Sequence, residues 1–432
     1  MSADLLSRLL DGKLPDPERG TALKVPTRVV TIENSLQGRE AALLAPLDVG
    51  RRLAVVADPT TWRVLGARVA AGLAAQGPVD RAILPERPHA DMTTVEMVRA
   101  QTAGADALIA VGSGTINDLA KYAAHIDAKP YVSFATAPSM NGYTSVNAAI
   151  TEDGVKRSIA ASPPRGAFFD IGILCQAPTR MIRAGFGDSI CRATAQADWL
   201  LAHHLWDQPY RAVPFLLLAE DEADLVSDPA GLLAGDTAAM AKLARLLVMS
   251  GFGMTIVGGS YPASQGEHLI SHYIEMIGDG AWEASFHGEQ IGVATLTMAR
   301  IQEAMLAMHE PRVSPCKTTE SAMKSFYGAT RGSAIWEIFA AKMLDAAGAD
   351  AMNARLKARW PEIRAAIRAV HRPAAVLEAA LKRIGAPTRP RDIHVPDDFY
   401  RDAVLHAREI RNRYTFLDFA ADAGYLNADT AT

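Results

Sequence analysis

The sequence lacks the features that would direct a protein to a membrane, to nucleic acid or to an oxidising compartment. Only three of the 432 residues are cysteines, and Cys175, Cys191 and Cys316 lie far apart, which favours a reducing compartment. The 44 basic and 48 acidic residues give a net charge of -4, so no broad basic field is available for nucleic acid or an anionic membrane. No basic segment followed by a long apolar run opens the sequence, so we expect no signal peptide and a cytoplasmic protein.

Long uninterrupted apolar runs are also scarce. The longest uncharged stretch in the middle of the chain, Leu246–Gln265, is broken by glycines and a proline, which makes it a poor candidate for a transmembrane helix. With 49% hydrophobic residues, the chain is long enough for two domains whose cores need no metal or disulfide to hold them together.

The first third of the chain alternates short apolar runs with helical patterns. Four runs predict strands, and the stretches between them predict helices: Leu53–Ala57, Ala82–Leu84, Ala107–Val111 and Tyr131–Ala135 are the strands, and Thr61–Ala75, Thr93–Ala103 and Thr115–His125 are the helices. Strands separated by helices of this length predict a parallel sheet with crossover helices. We therefore expect a Rossmann-like α/β domain over residues 1–170.

The remainder of the chain has a helical composition. Ala, Leu, Met, Glu and Arg dominate in long amphipathic stretches, so we expect an all-helical domain over residues 171–432. Pro163–Gly166 is the best candidate for the connecting loop, and it places the junction within residues 162–180.

A β-hairpin is predicted just before this junction. Asp153-Gly154 separates two alternating runs within Ala148–Ala161. Lys156 and Arg157 on the second run can contact an anionic ligand, or they can form a solvated edge of the hairpin.

A glycine-containing turn follows the third predicted strand. Gly112, Ser113, Gly114 and Thr115 stand between that strand and a helix, where exposed backbone N–H groups favour a phosphate. The third glycine of the G-x-G-x-x-G pattern is missing, so the alternative is a tight turn with Asp118 as a solvated carboxylate.

Polar side chains also follow the first and fourth predicted strands. Asp58 can accept hydrogen bonds from a ribose diol and would repel a 2′-phosphate, or it can simply cap the helix that begins at Pro59. The loop Thr136–Ser145 is rich in hydroxyl and amide groups at the edge of the sheet where ligands bind, although an ordinary proline-glycine turn has a similar composition.

A carboxylate and two imidazoles in the second half form a candidate metal site. Gly185-Phe186-Gly187-Asp188 is predicted to open a helix that runs to Trp199, and His268 and His272 share a helix face. His287 begins another predicted helix. Asp188, His268 and His287 suit Zn²⁺ or Fe²⁺ and leave a coordination position open, whereas a single histidine is more often a surface or core residue.

The motifs together resemble the sn-glycerol-1-phosphate dehydrogenase group of the iron-containing alcohol dehydrogenase and dehydroquinate synthase superfamily. The resemblance extends over most of the chain, and five motifs occur in the family's order: GSGTIND, TAPSMNGYTS, APTRMIRAGFGD, EHLISHYIE and HGEQIGVA.

The resemblance implies a role for each motif residue. The cofactor-binding positions are Asp58 at the adenosine ribose together with Gly112, Ser113, Gly114, Thr115, Asn117, Asp118, Thr136, Ser139 and Ser145. The implied metal ligands are Asp188, His268 and His287, and His272 stands beside the substrate. Asn141 occupies a position where relatives often carry Asp, so a neutral amide replaces a carboxylate there.

The implied reaction is the reversible reduction of dihydroxyacetone phosphate to sn-glycerol 1-phosphate. The resemblance implies NADH or NADPH as reductant, with Asp58 favouring NADH, and one divalent metal, with Zn²⁺ preferred over Fe²⁺ or Ni²⁺. We expect a small phosphorylated triose or polyol as partner, no nucleic acid or membrane, and a homodimer.

Three alternatives are open. A polyol dehydrogenase such as a glycerol dehydrogenase would share the metal and the cofactor. A dehydroquinate synthase-like lyase would need several basic groups near the histidines, and no basic residue other than histidine lies between Gly266 and Gln290. A non-catalytic nucleotide-binding protein would have no use for an intact metal set.

Overall fold

The computed structural model describes residues 2–152, 155–278 and 280–431. These residues form two compact units, each built from two chain segments. Met1–Ser189 and Arg211–Ser260 form the first unit, and Ile190–Tyr210 and Tyr261–Thr432 form the second.

The first unit contains a six-stranded sheet in which every neighbouring pair is parallel. The strands of this unit are β1 (Val29–Glu33), β2 (Leu53–Ala57), β3 (Val79–Ile83), β4 (Ala107–Gly112), β5 (Tyr131–Ala135), β6 (Asn147–Glu152), β7 (Val155–Ala160) and β8 (Gly166–Asp170). The order in the sheet is β1-β8-β5-β4-β2-β3, and β6 and β7 form a separate antiparallel pair.

The sheet is buried on both faces, which explains the continuous apolar runs in the sequence. Val55 and Ile109 face one side, where they pack against Leu65 of the following helical segment. Their neighbours Val56 and Ala110 face the other side, which is covered in part by the helix Gly114–Ile126. Alternate residues of one strand therefore enter two separate cores.

The predicted parallel sheet is confirmed, but two of its strands were missed. β1 and β8 pair with each other, and β8 also pairs with β5. The expected junction within residues 162–180 therefore includes part of the sheet, because Gly166–Asp170 is an interior strand. Pro163 and Pro164 suggested a loop, and they do precede the strand, but the five-residue strand was too short to give a periodic signal. The predicted hairpin turn at Asp153-Gly154 lies outside the described residues.

The first unit also contains the helices that connect its strands or follow them in the chain. The α-helices are Ser2–Leu10, Glu40–Leu44, Pro59–Thr61, Ala67–Leu73, Met92–Gln101, Gly114–Ile126, Ile171–Cys175, Thr179–Ser189, Val213–Leu216, Ala219–Ser227 and Thr237–Val257, with a π-helix at Trp62–Gly66 and 3₁₀ turns at Ala45–Leu47 and Ala230–Leu232. Within the described chain, Thr237–Val257 alone is long and apolar enough to span a membrane, and 67% of its most apolar window is buried in the structure.

Among its described residues the second unit contains helices and loops and no strand. Its α-helices are Arg192–Trp206, Gly266–Gly278, His287–Ala307, Glu320–Tyr327, Ala329–Ala340, Ala346–Arg368, Ala374–Arg383, Asp397–His406 and Phe416–Asp422, with 3₁₀ turns at Pro390–Ile393 and Ala407–Ile410. Their apolar faces meet in one core around Tyr273, Met298 and Phe416. The expected helical C-terminal region is confirmed.

Chain connectivity differs from the simple two-part division expected. The chain passes between the units at residues 189/190, 210/211 and 260/261. The helix Thr237–Val257 therefore belongs with the parallel sheet, although its composition resembles that of the helical part. The domain boundary at residue 170 stays a prediction.

Candidate active site

The strand order places two polar loops at one edge of the sheet. From β2 the chain turns to β3 on one side, and from β4 it continues to β5 on the other, so the direction of strand addition reverses between β2 and β4. Ligands of open α/β sheets bind outside the carboxyl ends of the strands at such a point. Asp58 follows β2 and Ser113 follows β4.

The turn after β4 leads directly into the N-terminus of a helix. Ser113 is the N-cap of the helix Gly114–Ile126, with φ -99° and ψ -157°, and its side chain makes no capping hydrogen bond. Gly112 cannot carry a side chain, because a Cβ there would lie 2.5 Å from Cβ of Ile116. Ser113, Gly114 and Thr115 are partly exposed, so their backbone N–H groups can be reached by a ligand.

Asp58 has the capping role that was one of its two predicted roles. Its Oδ1 accepts a hydrogen bond from the backbone N–H of Thr61 at 2.7 Å, and the Thr61 hydroxyl accepts one from the Asp58 N–H at 3.0 Å. Oδ2 makes no hydrogen bond to any described residue. The ribose role of Asp58 stays a prediction that this geometry allows.

The loop Thr136–Ser145 is held by backbone contacts at several points. The Thr136 N–H donates to the Gly112 carbonyl at 3.0 Å, and the Thr144 hydroxyl donates to the Val248 carbonyl at 2.6 Å. The helix Thr179–Ser189 approaches the loop so closely that a Cβ on Gly185 would lie 1.5 Å from the Pro138 carbonyl oxygen. Gly185 therefore serves close packing of backbone on backbone.

A buried lysine that the sequence did not indicate holds the same loop from within. Lys121 is fully buried, and its Nζ donates to the Gly142 carbonyl, the Ser145 hydroxyl and the Asn147 carbonyl at 2.6, 3.1 and 2.9 Å. Burial lowers the pKa of its amine, and Asp118, 3.6 Å away, opposes that shift. The Ser145 hydroxyl therefore helps to hold the loop, and its cofactor role stays a prediction.

The other predicted cofactor residues vary in exposure. Ser139 is half-buried in the loop, and Asn117 is buried on the helix after the glycine turn. Asn117 donates to Asp118, and its Oδ1 has no hydrogen-bond partner among the described residues. Asp118 accepts from the Ala149 N–H at 3.1 Å, so it connects the helix to β6 and is not a fully solvated carboxylate.

Asn141 and Asp188 are brought together within the first unit. The Asn141 backbone N–H donates to Oδ2 of Asp188 at 2.7 Å, and Asp188 is almost fully buried. The Asn141 side-chain nitrogen is buried and has no hydrogen-bond partner in the described part of the chain. The predicted helix from Gly185 to Trp199 is wrong: one helix ends at Ser189 and the next begins at Arg192, so Asp188 lies in a last helical turn and not in a first one.

Three histidines cluster within the second unit. His268 and His272 lie on the helix Gly266–Gly278, and His287 begins the next long helix, as predicted. Ring centroids are 5.2 Å apart for His268 and His287, 6.0 Å for His268 and His272, and 6.1 Å for His272 and His287. The predicted surface pair His203 and His204 lies on a different helix.

Buried acceptors orient the two predicted ligand histidines. Nδ1 of His268 lies 2.9 Å from Oε1 of Glu267, and Nδ1 of His287 lies 3.4 Å from the Ser271 hydroxyl. A hydrogen bond at Nδ1 fixes the tautomer in which Nε2 presents its lone pair, which is the usual arrangement around a protein-bound metal. Ser271 is itself held by Gln290 at 2.8 Å.

Glu267 is the main residue of this site that the sequence reading missed. It is fully buried and also accepts hydrogen bonds from the Gln265 N–H at 2.7 Å and the Thr194 hydroxyl at 3.2 Å. Its signal was its position directly before a candidate ligand histidine. The sulfur of Cys191 lies within 4.8 Å of ligand atoms of Glu267 and His268, and it donates to the Ala263 carbonyl at 3.8 Å.

Fold and site together define a class. The family model described as iron-containing alcohol dehydrogenase matches residues 31–178, which include the whole parallel sheet except Val29 and Val30. Solved structures agree on the fold: a probable glycerol dehydrogenase from Sinorhizobium meliloti 1021 has a TM-score of 0.61 at 17% identity, covering 94% of this chain and 98% of that one. An archaeal alcohol dehydrogenase from a Red Sea brine pool has a TM-score of 0.60 at 15% identity, with coverages of 94% and 96%.

Curated relatives narrow the class to one family. A glycerol-1-phosphate dehydrogenase [NAD(P)+] from Geobacillus stearothermophilus is 30% identical over 413 residues, which cover 90% of this chain and 92% of the relative. An enzyme of the same name from Methanospirillum hungatei is 30% identical over 377 residues, with coverages of 87% and 84%. The chain belongs to the glycerol-1-phosphate dehydrogenase family.

Proposed function

We propose that the protein reduces dihydroxyacetone phosphate to sn-glycerol 1-phosphate with NADH or NADPH and one divalent metal ion. The observation that carries the proposal is the histidine cluster, in which Glu267 and Ser271 contact Nδ1 of His268 and His287, so that Nε2 is the nitrogen suited to a metal. Relatives named glycerol-1-phosphate dehydrogenase [NAD(P)+] support the substrate and the cofactor.

The edge of the sheet between β2 and β4 is the proposed cofactor site. The N–H groups of Ser113, Gly114 and Thr115 would receive the pyrophosphate, and Oδ2 of Asp58 would accept from the adenosine ribose. Because Asp58 would repel a 2′-phosphate, we expect NADH to be preferred over NADPH. The bound nicotinamide supplies the hydride.

Asp188 is proposed to complete the metal set with His268 and His287. Asp188 belongs to the first unit by packing, but only two residues separate it from Cys191, whose sulfur lies within 4.8 Å of a His268 ligand atom. Three residues of chain span at most about 11 Å, so connectivity alone keeps Asp188 within reach of the histidines. One carboxylate and two imidazoles fit Zn²⁺ best, and an ion bound there would stabilise negative charge on the substrate oxygen as a Lewis acid.

Two further side chains have proposed roles at the substrate. His272, one helical turn from His268, can pass a proton between the substrate oxygen and solvent. The buried side-chain nitrogen of Asn141 can donate a hydrogen bond to the substrate where a carboxylate would have accepted one. We further propose a cytoplasmic homodimer, on the net charge and cysteine content and on the frequency of two-fold oligomers.

The test is NADH oxidation by the purified protein with dihydroxyacetone phosphate and with dihydroxyacetone, followed by chiral analysis of the glycerol phosphate and metal analysis. We expect faster turnover of the phosphate ester and sn-glycerol 1-phosphate as product. His268→Ala should lose both the metal and the activity without unfolding. A preference for dihydroxyacetone would instead indicate a polyol dehydrogenase, and full metal content in His268→Ala would contradict the ligand assignment.

A further inference from the structure

Arg411 is a partly exposed arginine of the second unit, and it differs from Lys342 and Arg408 in that no described carboxylate pairs with it. It lies just after the 3₁₀ turn Ala407–Ile410, which packs against the helix that carries His268 and His272. Its single hydrogen bond among the described residues runs from Nη1 to the Ser264 hydroxyl at 3.3 Å, and no described carboxylate pairs with it. Its side chain is partly exposed, so an external ligand can reach it.

Two largely buried basic groups in the same unit, Lys342 and Arg408, each have a carboxylate partner. Lys342 pairs with Asp418 at 2.8 Å, and Arg408 pairs with Asp422 at 3.1 Å. A largely desolvated cation is costly unless an anion compensates it, and the chain supplies that anion in these two pairs but not at Arg411. Burial accordingly lowers the pKa of Arg411.

Arg413 adds a second positive charge beside Arg411. Its guanidinium stacks 4.2 Å above the Tyr261 ring and donates to the Ser264 carbonyl. Burial lowers the pKa of Arg413, and repulsion from the Arg411 guanidinium lowers it further. Both arginines therefore meet at Ser264, four residues before His268 and just ahead of the N-terminus of its helix, which favours negative charge.

We propose that Arg411 binds the phosphate group of the substrate and that Arg413 is a positioning residue that holds the Ser264 turn beneath it. This inference rests on the function proposed above. In dihydroxyacetone phosphate the phosphorus is three bonds from the carbonyl carbon, so a phosphate site has to lie close to the histidines. No lysine or arginine lies between Gly266 and Gln290, so the cation must come from a distant part of the chain. Arginine presents a planar fork that matches two phosphate oxygens.

The experiment compares Arg411→Gln and Arg411→Lys with wild type. Arg359→Gln is the matched control, because Arg359 is an exposed arginine of the same unit that pairs with Glu362. We expect Arg411→Gln to raise KM for dihydroxyacetone phosphate about 10- to 100-fold, the range expected for a hydrogen bond to a charged group. KM for dihydroxyacetone and for NADH should change less than about twofold. Arg411→Lys keeps the charge but not the planar fork, so its KM for dihydroxyacetone phosphate should lie between those of wild type and Arg411→Gln.

Binding of inorganic phosphate gives a readout without turnover. Phosphate should inhibit and thermally stabilise the wild-type protein, and it should do so far less in Arg411→Gln. An unchanged KM for dihydroxyacetone phosphate would overturn the inference, and so would a raised KM for NADH, which would assign Arg411 to a cofactor phosphate. If wild type prefers dihydroxyacetone, the proposed function fails, and the phosphate titration still decides whether Arg411 binds the anion. If Arg411→Gln does not fold, Arg411→Lys decides by the same measurements.

Discussion

Replacing Glu267 by Gln tests the proposed metal site through a residue that need not touch the metal. Glu267 accepts three hydrogen bonds, from His268 Nδ1 at 2.9 Å, the Gln265 N–H at 2.7 Å and the Thr194 hydroxyl at 3.2 Å. Glutamine has the same shape and can keep the first two on its oxygen, while its amide nitrogen donates to the Thr194 hydroxyl. The substitution therefore removes the negative charge beside His268 while keeping a hydrogen bond to each of the three partners.

The loss of charge should weaken metal binding by a measurable amount. Removal of a group that orients a ligand histidine typically lowers metal affinity about 10- to 100-fold, or about 1.4 to 2.7 kcal/mol. The assay is competition for Zn²⁺ against a chromophoric chelator, with Glu362→Gln as the exposed control of equal charge change. Circular dichroism should show an intact fold, because glutamine has nearly the same volume as glutamate and keeps contact with the same three groups. Wild-type Zn²⁺ affinity in Glu267→Gln would refute the view that this carboxylate orients His268.

Three further substitutions test the first unit and the C-terminal core. Gly185→Ala should displace the loop at Pro138, lower the free energy of unfolding by about 1–3 kcal/mol in chemical unfolding, and raise KM for NADH. The control is Gly104→Ala, where the nearest atom to an added Cβ is 3.6 Å away, and it should leave both the stability and KM unchanged. Asp58→Ala should remove the helix cap, lower stability by about 1 kcal/mol, and reduce the ratio of kcat/KM for NADH to kcat/KM for NADPH. An unchanged ratio would show that Asp58 does not contact the ribose. Burial raises the pKa of Asp422 to about 6, whereas in the unfolded chain an aspartate titrates near pH 4. The protonated carboxyl therefore stabilises the folded protein below pH 4, by up to about 3 kcal/mol. This contribution to the free energy of unfolding should be lost as the pH rises from 4 to 6. Asp422→Asn should flatten the dependence of Tm on pH in that window, and a parallel profile would contradict the raised pKa.

The alternating strands and helices of the sheet could be predicted from the sequence. Leu53–Ala57 and Tyr131–Ala135 were predicted at their observed bounds because strands buried on both faces form uninterrupted apolar runs between helices. β8 was missed because its five residues follow two prolines and carry no periodicity, and only its pairing with β1 and β5 makes it a strand.

Glycine near Asp188 was misread for a different reason. Gly185 and Gly187 suggested a helix start, since glycine usually interrupts helices. In the structure Gly185 is inside a helix, where the Pro138 carbonyl leaves no room for a Cβ. A single sequence does not distinguish a glycine required for close packing of two backbone segments from a glycine required by a turn.

Buried charges were the least predictable features, because a charged residue on an amphipathic helix is expected to face water. Lys121 and Glu267 are instead inside, and each is stabilised by three or more groups that converge from distant or irregular segments. A charge removed from water needs several hydrogen-bonding or oppositely charged groups around it. A largely desolvated charge without such groups in the chain therefore indicates a partner from outside it. Arg411 has one long hydrogen bond and a second cation beside it, 147 residues along the chain from the turn it contacts. By the same reasoning that accounts for Lys121 and Glu267, its partner is an anion from outside the chain.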